Sequence, residues 1–434
     1  MPVHGSSRRR FLQSSAALGA GWFVSGSTRA ADEAAKKSPN EAMSVGVVGP
    51  GGRGWENLTG SAAVPGVNIT AICDVDDRAA KKGWETFPSA THYKDFRKMI
   101  ESEKLDAIVV STADHTHAPA SIMAMRKGLH CYCEKPLTHS VWEARLAAQT
   151  AKEYHVATQM GTQIHAGGNY RRVVEVIQSG AIGPVKKVHV WVGKGWGGGE
   201  RPAMGEPVPK EVDWDLWLGP APQRDYHSMY LPANWRRWWD FGNGTLGDMG
   251  CHYIDVVFWA LGLRHPTSVM AEGPPVHKET APLGMKVTWE FPARGEQPPC
   301  TLVWTDGDML ETEYEGHKFG GAGVYFIGEK GSMFADYGSY KLFPEDRFKD
   351  FAPPPKTIPD SIGHYAEWIK ACRDGSPTTC NFDYSGALTE SVLLGTVAYR
   401  VGKKIEWDPV ALKVTNSPEA AALIRREYRK GWEL

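Results

Sequence analysis

The chain has 434 residues, 49 Lys and Arg against 50 Asp and Glu, and 42% hydrophobic residues. That length suits two domains rather than one, and the near-neutral balance lacks the basic excess of a nucleic-acid binder. Seven scattered Cys, an odd number, do not make a disulfide scaffold; they read as mostly free core residues, with a disulfide left open.

At the N-terminus, Ser7-Arg8-Arg9-Arg10-Phe11-Leu12 precedes a mild apolar stretch from Ala16 to Val24, and Thr28-Arg29-Ala30 offers small residues before a cut. An arginine pair, a short apolar segment and a small-x-Ala site predict a bacterial Tat export signal over 1–30, and so a periplasmic or otherwise exported protein. The alternative is a disordered basic arm. The apolar stretch is too short for a stable membrane span, and no later segment reads as one. Cleavage would remove four Arg and no acid, leaving a charge of about −5. Residues 31–42 read as a polar linker.

From 43 to 163 strand-like and helix-like segments alternate. Strands are expected at 45–49, 67–73, 106–111, 129–133 and 156–160, with helices at 53–63, 77–84, 94–102, 118–127 and 140–153. This alternation predicts a doubly wound parallel sheet, an α/β Rossmann fold. The first expected strand ends in Gly49-Pro50-Gly51-Gly52-Arg53-Gly54, and Asp74 closes the second. A Gly-x-Gly-x-x-Gly turn between strand and helix, with an acid twenty residues on, is the dinucleotide fingerprint. The pyrophosphate would sit at the helix N-terminus, where free N–H groups face it. Asp74 can accept hydrogen bonds from a ribose 2′-OH and would repel a 2′-phosphate, so NAD is expected over NADP.

After the third expected strand, Ser111-Thr112-Ala113-Asp114-His115-Thr116-His117 is expected as a loop over the ribose and nicotinamide end of the cofactor. Cys131 and Cys133 on one strand are read as poor metal partners, with side chains expected on opposite faces. Glu134-Lys135-Pro136 follows that strand, and ligands of open α/β sheets bind beyond the carboxyl ends of strands. Lys135 there is either a cofactor- or substrate-reaching amine or a surface Lys before a turn. Gln163, His165 and Tyr170 lie where the first domain hands over to the second.

From about residue 164 the texture changes to a second α+β domain on a large, mostly antiparallel sheet. Strands are expected at 185–192, 284–291, 300–305, 323–328 and 332–336, with helices at 247–261, 361–373 and 385–401. Seven of the 17 Trp lie between Trp191 and Trp239. Trp235 and Arg236 offer a ring face for sugars and a guanidinium for hydroxyls or carboxylates; a packing loop or subunit contact is the alternative. The Gly-rich run from Lys194 to Glu200 reads as a mobile lid or a passive loop. Asp248 and His252 at i and i+4 share one helix face. Together they could hold a substrate hydroxyl and take its proton; a helix cap beside a packed core His is the alternative. No convincing third ligand accompanies them, so no metal is expected.

Taken together, the Gly49-Gly51-Gly54 turn, Glu134-Lys135-Pro136 and Asp248-x-x-x-His252 with Asp255 behind it resemble the Gfo/Idh/MocA family, named for glucose-fructose oxidoreductase and inositol dehydrogenase. The resemblance runs from about Met43 to the C-terminus, and Trp214-Asp215-Leu216-Trp217-Leu218-Gly219-Pro220 with Trp235-Arg236 is similar to an exported subgroup. It implies that Lys135 and His252, assisted by Asp248, are catalytic. It further implies that Thr112, Asp114 and His117 approach the nicotinamide, and that the protein is a homodimer or homotetramer. Members often carry Pro where this chain has Ala113, which leaves that loop's conformation open.

An exported enzyme has no ready way to recycle free NADH, so tightly held NAD is expected. The main expectation is an oxidoreductase acting on a sugar, polyol or glycoside hydroxyl. The first alternative is an NAD-dependent glycoside hydrolase that oxidises, eliminates, adds water and re-reduces, with His252, Lys135, Tyr170 or Tyr226 as the base. The second is a nucleotide-bound sensor without turnover.

Overall fold

The structure is a computed structural model in which residues 42–434 are described. The proposed export signal and nearly all of the linker lie outside the described residues.

The first sheet has six parallel strands: β1 (Met43–Val48), β2 (Val67–Cys73), β3 (Thr91–Tyr93), β4 (Ala107–Val110), β5 (His130–Cys133) and β6 (Thr158–Met160). Their order is 3-2-1-4-5-6. Helices α1 (Arg53–Ala62), α2 (Asp77–Thr86), α3 (Phe96–Ser102), α4 (Asp114–Arg126) and α5 (Val141–Glu153) connect them. Strands β1 and β4 are buried because both sheet faces are covered, which is why they read as continuous apolar runs. The strand order reverses direction between β1 and β4, and this switch point opens a crevice at the carboxyl ends of the strands. Short β3 was not expected: three half-exposed residues carry no readable period.

Helix α4 begins at Asp114, four residues earlier than expected. Asp114 to His117 are therefore the first helical turn and not a loop. Cys131 and Cys133 correct a second expectation. Two residues apart on β5, they share a face and join one apolar core, while Tyr132 between them joins the other. All seven Cys are free thiols.

Helix α6 (Gly168–Gln178) leads to the second sheet. It comprises β7 (Val185–Val192), β8 (Ser268–Glu272), β9 (Lys286–Phe291), β10 (Cys300–Asp306), β13 (Ala322–Gly328), β14 (Ser332–Ala335), β15 (Tyr340–Phe343), β16 (Ile405–Asp408) and β17 (Lys413–Val414), in the order 15-14-13-7-10-9-8-16-17. Only the β7–β10 pair is parallel. A small hairpin, β11 (Glu313–Tyr314) and β12 (His317–Lys318), brings Tyr314 onto Trp191 and Tyr325.

The long segment between β7 and β8 holds α7 (Trp214–Leu218), α8 (Gly244–Tyr253) and α9 (Asp255–Leu261). The single helix expected over 247–261 is thus two, meeting at Ile254. After α10 (Glu345–Phe348), α11 (His364–Asp374) returns to the first sheet, where Trp368 and Ile369 pack with Val45, Val47 and Tyr132. Helix α12 (Phe382–Val401) is buried along nearly its whole length against α5, α8 and β8. It is buried on every face, as a helix enclosed by neighbours is, and its one buried acid, Glu390, is paired with Arg145 at 2.8 Å. Helix α13 (Pro418–Ile424) ends the regular structure.

Candidate active site

The glycine turn is shaped by contact as much as by flexibility. A Cβ on Gly54 would stand 1.7 Å from the Gly49 carbonyl oxygen, so only glycine lets α1 start this close to β1. Gly49 has φ +77°, and a Cβ there would meet the Ser111 carbonyl at 2.7 Å. The turn opens into a cavity of about 990 Å³ running from Gly49, Gly51, Gly52, Arg53 and Asp74, past Thr112, Asp114, His117 and Glu134, to Lys135, Trp235, Arg236, Asp248 and His252. Arg53 pairs with Glu56 at the mouth. Asp74 accepts from the Asp76 N–H at 2.9 Å. Burial pushes its pKa up to about 7, against the lowering pull of that hydrogen bond.

Across the cavity, Lys135 at the end of β5 meets α8. Its Nζ donates to Asp248 Oδ1 at 2.8 Å and to the Asp248 carbonyl at 3.0 Å. Arg236 Nε donates to the same carboxylate oxygen at 3.0 Å, and Trp196 Nε1 donates to Oδ2 at 2.9 Å. Burial alone would raise the Asp248 pKa, but Lys135 and Arg236 overcome it and hold the group well below the usual carboxylate range. His252, one turn on, has no hydrogen-bond partner on its ring among the described residues. Burial, then the Lys135 charge, lower its pKa to about 3. Its imidazole is therefore neutral at pH 7 with a lone pair to offer.

The remaining first-sheet residues brace this arrangement. Glu134 Oε1 accepts from Asn57 Nδ2 at 2.9 Å and from Gln163 Nε2 at 2.7 Å. The His117 ring lies between the Pro136 and Thr112 carbonyls, at 2.8 and 3.1 Å. Burial lowers the His117 pKa to about 4, so the neutral ring has a single N–H and donates to one of these carbonyls, tying α4 either to the turn behind Lys135 or to the Thr112 backbone. Asp114 lies deep in the wall, where burial pushes its pKa up to about 8 despite Arg236 and Lys135.

A model of the "Oxidoreductase family, NAD-binding Rossmann fold" matches residues 43–162, and one of the "Oxidoreductase family, C-terminal alpha/beta domain" matches 167–434. The chain belongs to the Gfo/Idh/MocA oxidoreductase family. Among curated relatives, a "Glycosyl hydrolase family 109 protein" of Saccharopolyspora erythraea is 29% identical over 204 residues, 41% of this chain and 44% of the relative. An "Inositol 2-dehydrogenase" of Rubrobacter xylanophilus is 32% identical over 151 residues, 34% of this chain and 43% of the relative. The chain thus spans under half the length of these relatives. Among solved structures, the WlbA dehydrogenase of Chromobacterium violaceum, in complex with NADH and UDP-GlcNAcA, has a TM-score of 0.62 at 18% identity, covering 86% of this chain and 98% of that one.

The residues present suit the NAD of this oxidoreductase family. The glycines that a Cβ would obstruct, the start of α1 and the acid closing β2 face one crevice, with room beyond them to reach Lys135 and His252.

Two expected substrate residues stand elsewhere. His165 is buried behind the cavity, its Nδ1 at 2.9 Å from both Asp255 oxygens and its ring stacked on Trp259. Tyr170 is fully buried and donates to the His252 carbonyl at 3.3 Å, supporting α8 from behind. Tyr226 packs in the Trp214–Trp217 cluster. None of the three lines the cavity, so neither tyrosine can serve as the base. Gln163 reaches the wall but spends its amide on Glu134 and Tyr132. His165, Asp255 and Cys380 bring their potential ligand atoms within 4.8 Å of one another; Tyr384 also donates to Asp255 at 2.8 Å, making this a closed hydrogen-bonded support.

Sequence reasoning missed Trp196, Lys194, Tyr337 and Asn57. The glycine run around Trp196 is anchored: Trp196 N–H donates to Thr245 Oγ1 at 2.7 Å and Gly198 N–H to the Ala281 carbonyl at 2.8 Å. A Lys and a Trp standing alone among glycines were the available signal. Tyr337 and Asn57 had none.

Proposed function

We propose that the protein is a Tat-exported, periplasmic oxidoreductase that retains NAD and acts on a hydroxyl of a sugar, polyol or glycoside. One observation carries this: Lys135 crosses the cleft to Asp248 at 2.8 Å, beside unpaired His252, in the cavity that begins at the glycine turn. NAD, held by the glycine turn, the α1 N-terminus and Asp74, would accept and donate the hydride. His252 takes the proton of the substrate hydroxyl; Lys135 donates a hydrogen bond to that oxygen; Asp248 fixes the Lys135 ammonium and the Arg236 guanidinium. Trp196 and Trp235 narrow the pocket around the ring. The family resemblance supports a homodimer or homotetramer, to be read by light scattering.

A redox-neutral glycoside hydrolase is the second reading, favoured by the glycosyl hydrolase family 109 relatives. There His252, once free of the hydroxyl proton, is the base best placed beside the ring. Denaturing the protein and identifying the released nucleotide tests the common premise. Native protein with p-nitrophenyl glycosides and no added cofactor then separates the readings. A lasting rise in the reduced-nicotinamide band means net oxidation, and nitrophenol without that rise means hydrolysis. Nucleotide without either outcome returns the protein to the sensor class.

A further inference from the structure

The substrate end of the cavity carries more positive charge than its acids balance. Lys135, Arg236 and Lys194 all line it. Asp248 is already shared between Lys135, Arg236 and Trp196. Glu134 faces the Asn57 and Gln163 amides on the first-sheet side. Asp114, pushed up to about 8 by burial, is mostly uncharged at pH 7.

Lys194 stands out. Its Nζ rests 3.4 Å from Met249 Sδ, a weak acceptor, and among the described residues it forms no ion pair. Arg236 uses Nε on Asp248, and its guanidinium lies 4.3 Å from the Trp235 ring centroid. One outer nitrogen donates to the Ala233 carbonyl at 3.4 Å, and the two outer nitrogens together keep donors to spare. An ammonium with no carboxylate within ion-pair distance among the described residues and a guanidinium in the same cavity, flanked by Trp196 and Trp235, form a receptor for an anion carried on a ring. The cofactor's pyrophosphate does not account for them, because its place is the glycine turn across the cavity.

We propose that Lys194 and Arg236 form an anion subsite, and that the carbohydrate taken here carries a carboxylate or sulfate group. This rests on the sugar-directed reading above and names its substrate class.

The test is binding, read by tryptophan fluorescence on the NAD-bound protein at low ionic strength. The probes are D-glucuronate, D-galacturonate and the 6-sulfates of glucose and galactose, each against its neutral parent sugar. An anionic sugar should bind roughly tenfold or more tightly than its parent, the worth of a charge-assisted contact. Salt should erode that advantage and Lys194→Met should abolish it. Uronates against sulfates then identify the group. Equal or weaker binding of every anionic sugar, no binding at all, or an advantage unchanged in Lys194→Met overturns the subsite. The outcome does not depend on turnover. Neutral glycosides processed without any anionic preference would leave the oxidoreductase standing and remove only the subsite.

Discussion

Lys135→Met is the most informative perturbation, because the structure separates what it does to folding from what it does to chemistry. The ammonium makes two charge-assisted bonds, and both partners are well buried: Lys135 is 10% and Asp248 7% exposed. Removing one partner of a buried pair typically costs about 3–5 kcal/mol because a charge is stranded. Here Arg236 and Trp196 keep hold of Asp248, so a smaller loss of about 2–3 kcal/mol is expected. If Lys135 also binds the reacting oxygen, turnover should fall by roughly 10²- to 10⁴-fold, which is about 3–5 kcal/mol in the barrier. The assay pairs thermal unfolding with single-turnover kinetics at saturating substrate, on protein whose retained nucleotide has been measured. A lowered melting temperature with turnover within about threefold of wild type would make Lys135 a structural strut and refute the catalytic assignment.

The remaining predictions use other parts of the site. His252→Ala should slow turnover by about 10²-fold or more while nucleotide content is unchanged; since the wild-type imidazole titrates near 3, it should contribute no acid limb to the rate profile above pH 5 or so. Asp74, titrating near 7, is mostly protonated below that pH and charged above it. Its rejection of NADP should therefore strengthen as pH rises through 7 and become flat in Asp74→Asn, measured by competitive nucleotide binding. Gly54→Ala should be recovered with little or no nucleotide, because the new Cβ collides with the Gly49 carbonyl 1.7 Å away; full NAD content would show that the turn yields more easily than the packing implies.

The parallel sheet was legible because burial on both faces leaves unbroken apolar runs such as Val45 to Val48, and because the glycine turn punctuates them. The second sheet was legible in its long strands and not in β8 and β15 to β17, which are short and half exposed. Asp248 and His252 were legible because i, i+4 spacing is a local fact. Their partners were not: Lys135 lies 113 residues from Asp248 in sequence, and Trp196 reaches it across 52. His165 and Tyr170 misled for the same reason in reverse. Their position at the handover between sheets suggested a cleft, yet the 3₁₀ turn at Gln163–Ala166 and the start of α6 direct both inward, against Asp255 and the His252 backbone.

On the proposed function, the geometry also bears on which member of the Asp248–His252 pair would move the proton. A shared helix face allowed Asp248 to raise the basicity of the imidazole, but its oxygens turn instead to Lys135, Arg236 and Trp196. A carboxylate so strongly held in its charged form has little affinity for a proton and makes a poor base. His252 has a low proton affinity too, since burial lowers its pKa to about 3, but its ring is neutral and unpaired among the described residues and so is free to meet a hydroxyl proton that the three-times-bonded carboxylate cannot reach. On the proposed function Asp248 is therefore a positioning residue. Asp248→Asn keeps its size and one acceptor oxygen for Lys135 and Arg236, but turns its amide N–H groups toward the Trp196 N–H, donor against donor. Turnover should fall by roughly tenfold through loss of alignment, well short of the His252→Ala loss. Equal losses in the two variants would mean that the carboxylate itself accepts the proton, and that the imidazole is the residue merely holding it in place.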